Sequence, residues 1–198
     1  MNVRPALLLS AFAPELAGMD LHPPSGWRVA CTGVGALTAG VTTARLLAAL
    51  VPSKVLFVGT CGAYDDRLAI GACLTASDAL ALSLDVLEGR AYRPEIESSR
   101  WPATWPLPFL PRHSVAVPPG ITRTLAGAQR LGALAPVENL ELTGVFAACA
   151  GAGIPCGAAL AVANAVGPEA HAQWLANHDR VSRELMATLV HHGLFELA

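Results

Sequence analysis

Short apolar runs alternate along the chain with segments whose apolar residues recur at helical spacing. Most of the runs are apolar at successive positions, as in strands that helices cover on both faces. The runs are Pro5–Ala11, Trp27–Thr32, Lys54–Thr60, Gly71–Ser77 and Cys156–Ala163. This alternation predicts a three-layer α/β/α sandwich with a largely parallel central sheet.

Three segments between or after these runs are predicted to be helices. They are Ala36–Leu50, Asn139–Ala150 and a final helix from about Pro168 to His192. Pro168 suits the first turn of that last helix, and Gly193 suits its end. We expect residues 1–198 to form a single domain, since the length is that of one ordinary domain.

The composition limits the classes of function. The chain is 53% hydrophobic and 14% charged, with a net charge of -2, so it can bury a large core. No basic stretch supports nucleic-acid binding. Five scattered cysteines without a CxxC pattern favour free thiols in a reducing, cytoplasmic compartment. His171 and His178 share a helix face without a third ligand nearby, so no metal and no cofactor is expected.

Two segments also resemble targeting or membrane sequences. Leu7–Leu16 has the outline of a secretory signal, but it also reads as a first strand that ends near Glu15, and we expect it to remain. Val145–Gly167 is 23 residues long without a charge. Glycines and Pro155 interrupt it, which favours a buried helix, a turn and a strand over a membrane span.

The segment Arg93–His113 departs from the alternation because it holds five prolines and two tryptophans. We predict a long loop, and long loops in compact domains are usually functional or lie at an interface. Trp101, Trp105 and Phe109 would then either cover a site of a neighbouring subunit or pack on their own subunit.

Glycines follow two of the predicted strands. In "KVLFVGTCG" a buried strand ends at Thr60, Cys61 and Gly62, where backbone amides can approach a ligand at the carboxyl edge of the sheet. Cys61 is interpreted as a small packing residue, since no histidine stands near it in sequence. In "CTGVG" the glycines make either a tight turn or a ligand contact.

Two acids and an amide are further candidates. Glu138 and Glu141 fall at the predicted start of the second helix, where the helix dipole alone can explain Glu138. Glu141 lies one turn further and is expected to point inward, where a sugar diol is one partner. Asn164 ends an apolar strand and either caps a turn or faces a substrate.

Taken together, these segments resemble the nucleoside phosphorylase and nucleosidase superfamily. The resemblance rests on "SAFAPELAGM", "CTGVGALTAGVTTARLL", "VLFVGTCGAYDDRLAIGACLTASDAL", "VENLEL" and "IPCGAALAVANAVG", which stand in the family's order. It covers most of the chain and implies a mixed sheet between helices. It also implies a dimer or larger homo-oligomer that binds a small nucleoside.

The resemblance implies a role for individual residues. Glu15 matches the carboxylate that activates water, and Asn164 matches the residue that handles the leaving purine. Glu141 matches the ribose-binding glutamate, and Leu140 replaces the methionine under the sugar. The resemblance also assigns substrate contacts to Thr60, Cys61, Gly62 and Ile121.

Three positions depart from the family pattern. Asn164 replaces an aspartate, which favours a 6-oxopurine base as in inosine or futalosine. Leu160 stands where an arginine is often found, which favours hydrolysis over phosphate-dependent cleavage. Ala72 replaces another aspartate. The resemblance therefore implies a purine nucleosidase that attacks C1′ with water, with a phosphorylase or a catalytically weakened nucleoside-binding homologue as alternatives.

Overall fold

A computed structural model describes residues 4–196. The strands are β1 (Ala6–Ser10), β2 (Trp27–Cys31), β3 (Val55–Ala63), β4 (Cys73–Ala81), β5 (Arg100–Pro102), β6 (Arg112–Val117), β7 (Val137–Glu138) and β8 (Cys156–Ala165). The helices are α1 (Ala36–Leu50), α2 (Leu84–Leu87), α3 (Leu125–Gly132), α4 (Leu142–Ala152) and α5 (Ala170–His191). A 3₁₀ turn, Ala13–Leu16, follows β1.

The strands form one mixed sheet in the order β2-β1-β3-β7-β6-β4-β5, and β8 pairs with both β3 and β4. The pairings are parallel except those of β7 with β3, β8 with β4 and β5 with β4. The strands β3, β8, β4, β6 and β7 thus make a closed circuit of hydrogen-bonded neighbours. The predicted α/β architecture with a mixed, largely parallel sheet is confirmed, and part of that sheet curls onto itself.

Alternate residues of the central strands enter two different cores. In β3, Val55 and Phe57 belong to a core shared with α1 and α4, whereas Leu56 and Val58 belong to one shared with α5. Such alternation follows from the two-residue period of a strand. Helices therefore cover both faces of the central strands, as their unbroken apolar sequence predicts.

Glycines let the two helices on the first face approach closely. A Cβ atom on Gly144 of α4 would lie 1.9 Å from the backbone oxygen of Ala36 in α1, and one on Gly40 would lie 3.2 Å from Gly144 Cα. Side chains at these positions would push the helices apart. This contact fixes the start of α1 against the start of α4, next to the cavity described below.

The short elements were not foreseen from the sequence. They are β5, β6, β7, α2 and α3, which lie between Leu84 and Glu138 and carry no sustained periodic pattern. The second predicted helix was also placed too early, because it begins at Leu142 and not at Asn139. The side-chain oxygen of Asn139 accepts hydrogen bonds from the amides of Glu141 and Leu142, so these residues form a turn before the helix.

The segment Arg93–His113 packs on its own subunit. Trp105 donates its backbone N–H to the oxygen of Cys156 at 2.8 Å, and its ring lies 6.3 Å from that of Trp27. Phe109 stacks on His192, and Trp101 packs against the first core. These contacts lie at the amino ends of β2 and β8. Of the two alternatives for the aromatic residues, the structure supports packing within the subunit.

The segments that resembled a signal or a membrane span form ordinary elements. Residues Ala6–Ser10 form β1, which is buried throughout and pairs with β2 and β3. The long uncharged stretch Val145–Gly167 forms most of α4, a turn and β8. Within residues 4–196, no helix is long and apolar enough to cross a membrane.

Candidate active site

A cavity of about 350 Å³ opens at the carboxyl end of β3. The eight residues to which the resemblance assigns catalysis or substrate binding all line it: Glu15, Thr60, Cys61, Gly62, Ile121, Leu140, Glu141 and Asn164. They come from separate parts of the chain, which the parallel strands bring to one edge of the sheet. The wall also includes Phe12, Val34, Glu138, Asn139, His171 and Trp174.

Glu15 is held by three donors at the floor of the cavity. One oxygen accepts the backbone N–H and the hydroxyl of Thr60, each at 2.8 Å. The other accepts the N–H of Ala11 at 3.3 Å. A Cβ atom on Gly59 would lie 3.3 Å from the carboxylate, so the glycine leaves just enough room for it.

The environment of Glu15 places its ionisation close to neutral pH. Burial raises the pKa of Glu15 to about 7, and the charge of Glu141 contributes, whereas the hydrogen bonds from Thr60 lower it. A carboxylate with a pKa near the working pH is suited to take a proton from a water molecule.

Trp174 extends the hydrogen bonds behind Glu15. Its ring N–H donates to the hydroxyl of Thr60 at 3.1 Å, and that hydroxyl donates to Glu15. Trp174 stacks on His178 at 4.3 Å between ring centres, with His171 at 6.0 Å on the same helix. The predicted final helix includes Trp174, but a helical pattern gives no sign of this hydrogen bond.

Glu141 is anchored by the turn before α1. One of its oxygens accepts the backbone N–H of Gly35 at 2.9 Å, and burial raises the pKa of Glu141. Asn139 holds the adjoining turn, since its amide donates to the oxygen of Thr60 at 3.2 Å. The glycine turn "CTGVG" thus meets a protein carboxylate, and Glu141 faces inward as expected.

Asn164 lies beside Gly62 because of a bulge in β8. The pairing of β3 with β8 shifts register between Cys61 and Gly62, so that Gly62 lies opposite Asn164. A Cβ atom on Gly62 would lie 2.9 Å from the amide nitrogen of Asn164. That nitrogen donates one hydrogen bond, to the oxygen of Ala165 at 3.0 Å. Bulges often redirect a side chain next to an active site.

Glu138 differs from the prediction. It does not lie at a helix start but ends the short strand β7, so the helix dipole does not explain it. Its carboxylate accepts the hydroxyl of Tyr64 at 2.8 Å and the backbone N–H of Thr122 at 3.2 Å. Burial raises the pKa of Glu138. The sequence gives no local signal for this placement, because a strand of two residues shows no periodic pattern.

Cys61 and two positions that depart from the family pattern, Leu160 and Ala72, are packing residues in this structure. Cys61 belongs to the first core, and burial raises the pKa of its thiol, so the thiolate nucleophile is disfavoured. Leu160 is fully buried in that core, and Ala72 packs against it. The five cysteines are free. In the described part of the chain, no group of three or more potential ligands could hold a metal ion.

The fold is that of known nucleosidases. The structure superimposes with a TM-score of 0.84 on 5′-methylthioadenosine/S-adenosylhomocysteine nucleosidase from Helicobacter pylori, at 15% identity and over 100% of both chains. Futalosine hydrolase from the same organism gives 0.83 at 18% identity, over 98% of this chain and 100% of that one. The methylthioadenosine nucleosidase of Neisseria meningitidis gives 0.80 at 12% identity, over 98% and 100%.

A comparison of sequences identifies the family to which the chain belongs. No curated protein matches the chain. A sequence profile of the phosphorylase superfamily, however, matches residues 27–139, which is more than half of the chain. The matched region runs from β2 to the end of β7 and includes the glycine turns and Thr60. Fold and profile agree, and this chain belongs to the phosphorylase superfamily.

Proposed function

We propose that the protein is a purine nucleosidase, which hydrolyses an N-glycosidic bond by attack of water at C1′. The observation that carries the proposal is one cavity in which a buried carboxylate of near-neutral pKa, Glu15, meets Glu141 and Asn164. The solved nucleosidases of the same fold support it.

Each of these three residues has one proposed role in the reaction. Cleavage of the bond builds positive charge on the sugar and negative charge on the leaving base. Glu15 orients a water and takes its proton as the new C1′–O bond forms. Glu141 accepts hydrogen bonds from ribose hydroxyls. The amide of Asn164 donates to the base, which leaves with the electron pair of the broken C1′–N bond.

The charge of the cavity favours water over phosphate as the nucleophile. Glu15, Glu138 and Glu141 are three buried carboxyl groups that line the cavity, and their ionised forms would repel a phosphate dianion. Hydrolysis is therefore the proposed reaction, and phosphorolysis is the alternative to be tested. Asn164, with its neutral amide, can hydrogen-bond N7 or a 6-oxo oxygen, which supports a 6-oxopurine base.

The reaction is tested by incubating the purified protein with inosine, futalosine and methylthioadenosine, each with and without phosphate. Release of free base in the absence of phosphate is the expected result. Strict dependence on phosphate would instead identify a phosphorylase. Ligand-induced thermal stabilisation without release of base would identify a nucleoside-binding homologue and contradict the proposed hydrolysis.

The substitution Glu15→Gln tests the proposed base directly. We expect kcat to fall by roughly 100-fold or more, because the amide cannot accept the proton of water. Nucleoside affinity, measured by calorimetry, should change little, since the side chain keeps its shape. Glu95→Gln, at an exposed loop position, is the matched control and should retain full activity. Normal turnover in Glu15→Gln would remove this residue from the mechanism.

We further propose a homodimer that closes the mouth of the cavity. Val34 and Ile121, which line the cavity, are exposed, and Leu37, Val41 and Leu125 are further exposed apolar residues. A groove lined by Leu37, Pro118 and Pro119 adjoins the cavity at Leu140. A second copy of the chain would bury this surface and shield the nucleoside.

The free cysteines also bear on the compartment in which the protein acts. We propose a single domain that acts in the cytoplasm on a small nucleoside, without nucleic acid or membrane as a partner. The free cysteines suit a reducing compartment.

A further inference from the structure

Three flat side chains on α5 form a stack beside the cavity. The indole of Trp174 stacks on the imidazole of His178, with 4.3 Å between the ring centres and 15° between the planes. The ring of His171 lies 6.0 Å from that of Trp174, at an angle of 13°. Positions three or four apart on a helix share a face, so the indole lies between the two imidazoles along α5. His171 and Trp174 line the cavity, and His178 lies one turn further along the helix.

The proposed reaction gives His178 no part, and hydrogen bonding at Nδ1 does not explain its position. Its side chain is 17% exposed. The Nδ1 atom is buried and has no hydrogen-bond partner among residues 4–196, since the carboxylate of Asp179 is 3.8 Å away. A buried polar atom without a partner costs stability. The stacking of the ring on Trp174 is therefore the contact that His178 contributes here.

Phe12 closes the stack against the turn that carries Glu15. Its ring centre is 5.7 Å from that of Trp174 and 6.1 Å from that of His178, and both pairs of rings are tilted. The backbone oxygen of Phe12 accepts the N–H of Glu15 at 3.2 Å. The indole is thus confined between α5 and the turn after β1, and the ring of His178 covers one of its faces.

The orientation of the indole matters because its N–H bond is directional. It donates to the hydroxyl of Thr60 at 3.1 Å, and such a hydrogen bond weakens steeply when its angle departs from linear. Without the ring of His178, the space against one face of the indole would allow it to tilt. The hydroxyl of Thr60 could then turn its proton away from Glu15, to which it donates at 2.8 Å.

We propose, on the basis of the proposed nucleosidase function, that His178 is a positioning residue for Glu15. Its ring holds the indole of Trp174 in the orientation in which the N–H directs the Thr60 hydroxyl to the carboxylate. His178 acts through its flat shape and not through its charge. Substitution of His178 leaves in place the other titratable groups of the cavity, which are Cys61, Glu138, Glu141 and His171.

The profile of kcat/KM against pH tests this role. In His178→Ala, the acidic limb should move upward by about 0.5 pH unit, because Glu15 loses part of the hydrogen bonding that stabilises its charge. KM should change little, since the ring lies behind the cavity wall. His178→Phe keeps a flat ring and should restore the wild-type profile. If His178→Ala does not fold, His178→Gln removes the ring at similar size and carries the same expectation.

A double-mutant cycle shows whether His178 acts through the indole. Trp174→Phe already lacks the N–H, so the addition of His178→Ala should cause no further shift of the acidic limb. Equal shifts in the two backgrounds would overturn the proposal. A fall in kcat with an unmoved limb in His178→Ala would also overturn it, because a structural role alone predicts that result.

His192→Ala is the matched control. The imidazole of His192 stacks on Phe109 with the same 4.3 Å between ring centres and an angle of 13°, but near the amino ends of the strands. Its loss should leave the pH profile unchanged. A shift as large as that in His178→Ala would mean that the loss of any stacked ring moves the limb, which contradicts a specific positioning role.

NMR titration of labelled glutamate carboxyl carbons separates this role from the reaction. The signal of Glu15 is assigned by its absence in Glu15→Gln, and its midpoint should rise in His178→Ala without any substrate present. A raised midpoint in a protein that hydrolyses no nucleoside would refute the reaction and leave the effect of His178 on Glu15 intact. An unmoved midpoint in a protein that hydrolyses nucleosides would overturn the positioning role alone.

Discussion

At the scale of single residues, the burial of Glu15 has a cost in stability. Its pKa is about 7 in the folded protein and 4.5 as an ordinary glutamate, so between these values the folded state binds more protons than the unfolded state. The free energy of unfolding therefore falls as the pH rises through this window. The destabilising contribution of Glu15 reaches its full size above pH 7.

Glu15→Gln should consequently stabilise the protein at alkaline pH. We expect the free energy of unfolding to rise by roughly 3 kcal/mol at pH 8 and by much less at pH 5, from the shift in pKa. Urea denaturation of both proteins at the two pH values measures the difference. A gain of equal size at both values would contradict a raised pKa.

Trp174 controls the direction of the Thr60 hydroxyl. A hydroxyl has one proton, and because Trp174 donates to Thr60, that proton is left for Glu15. Trp174→Phe keeps an aromatic ring and removes the N–H. The pKa of Glu15 should rise, and the acidic limb of the profile of kcat/KM against pH should move upward by about 0.5–1 pH unit.

Trp105→Phe is the control for that measurement, because Trp105 lies at the amino ends of the strands. Its pH profile should match that of the wild-type protein. An unchanged profile in Trp174→Phe would show that the N–H does not influence the proposed base.

At the scale of secondary-structure elements, the contact of α1 with α4 supports the site. Gly144→Ala would force a methyl group against the Ala36 carbonyl, which is 1.9 Å from the position of the added Cβ. We expect a loss of about 2 kcal/mol or more in unfolding free energy. Activity should also fall, because the bond between Glu141 and Gly35 joins the same two helix ends.

Gly151→Ala, in the same helix, meets open space and is the matched control. It should be neutral or stabilise by up to about 1 kcal/mol through helix propensity. Similar destabilisation by both substitutions would show that helix packing is not the cause. Urea denaturation distinguishes the two results.

The elements differ in how well the sequence predicts them. Val55–Ala63 and Ala36–Leu50 have long, strong patterns, and these patterns located them to within a few residues. Val137–Glu138 and Arg100–Pro102 are too short to show a period, and pairing with distant strands decides that they are strands. Glu138 was misplaced for this reason.

At the scale of the whole molecule, the apolar surface around the cavity predicts association. Leu37 is 81% exposed on α1 beside the groove. Leu37→Glu should shift the proposed dimer towards monomer in analytical ultracentrifugation, because a charge would be buried in the interface. Ile96→Glu, at a site that is 97% exposed in the loop Arg93–His113, should not change the mass. Equal masses for wild type and Leu37→Glu would contradict this interface.

The sequence by itself predicted the layers of the fold and eight of the residues that line the cavity. Unbroken apolar runs such as Leu7–Leu9 require cover on both faces. Glu15 and Asn164 lie at or after the end of an apolar segment, and Glu141 lies directly before one. Only the tertiary structure decided the closure of the sheet, the bulge beside Gly62 and the partners of Glu138. Those features depend on hydrogen bonds between strands far apart in sequence, which local patterns do not encode.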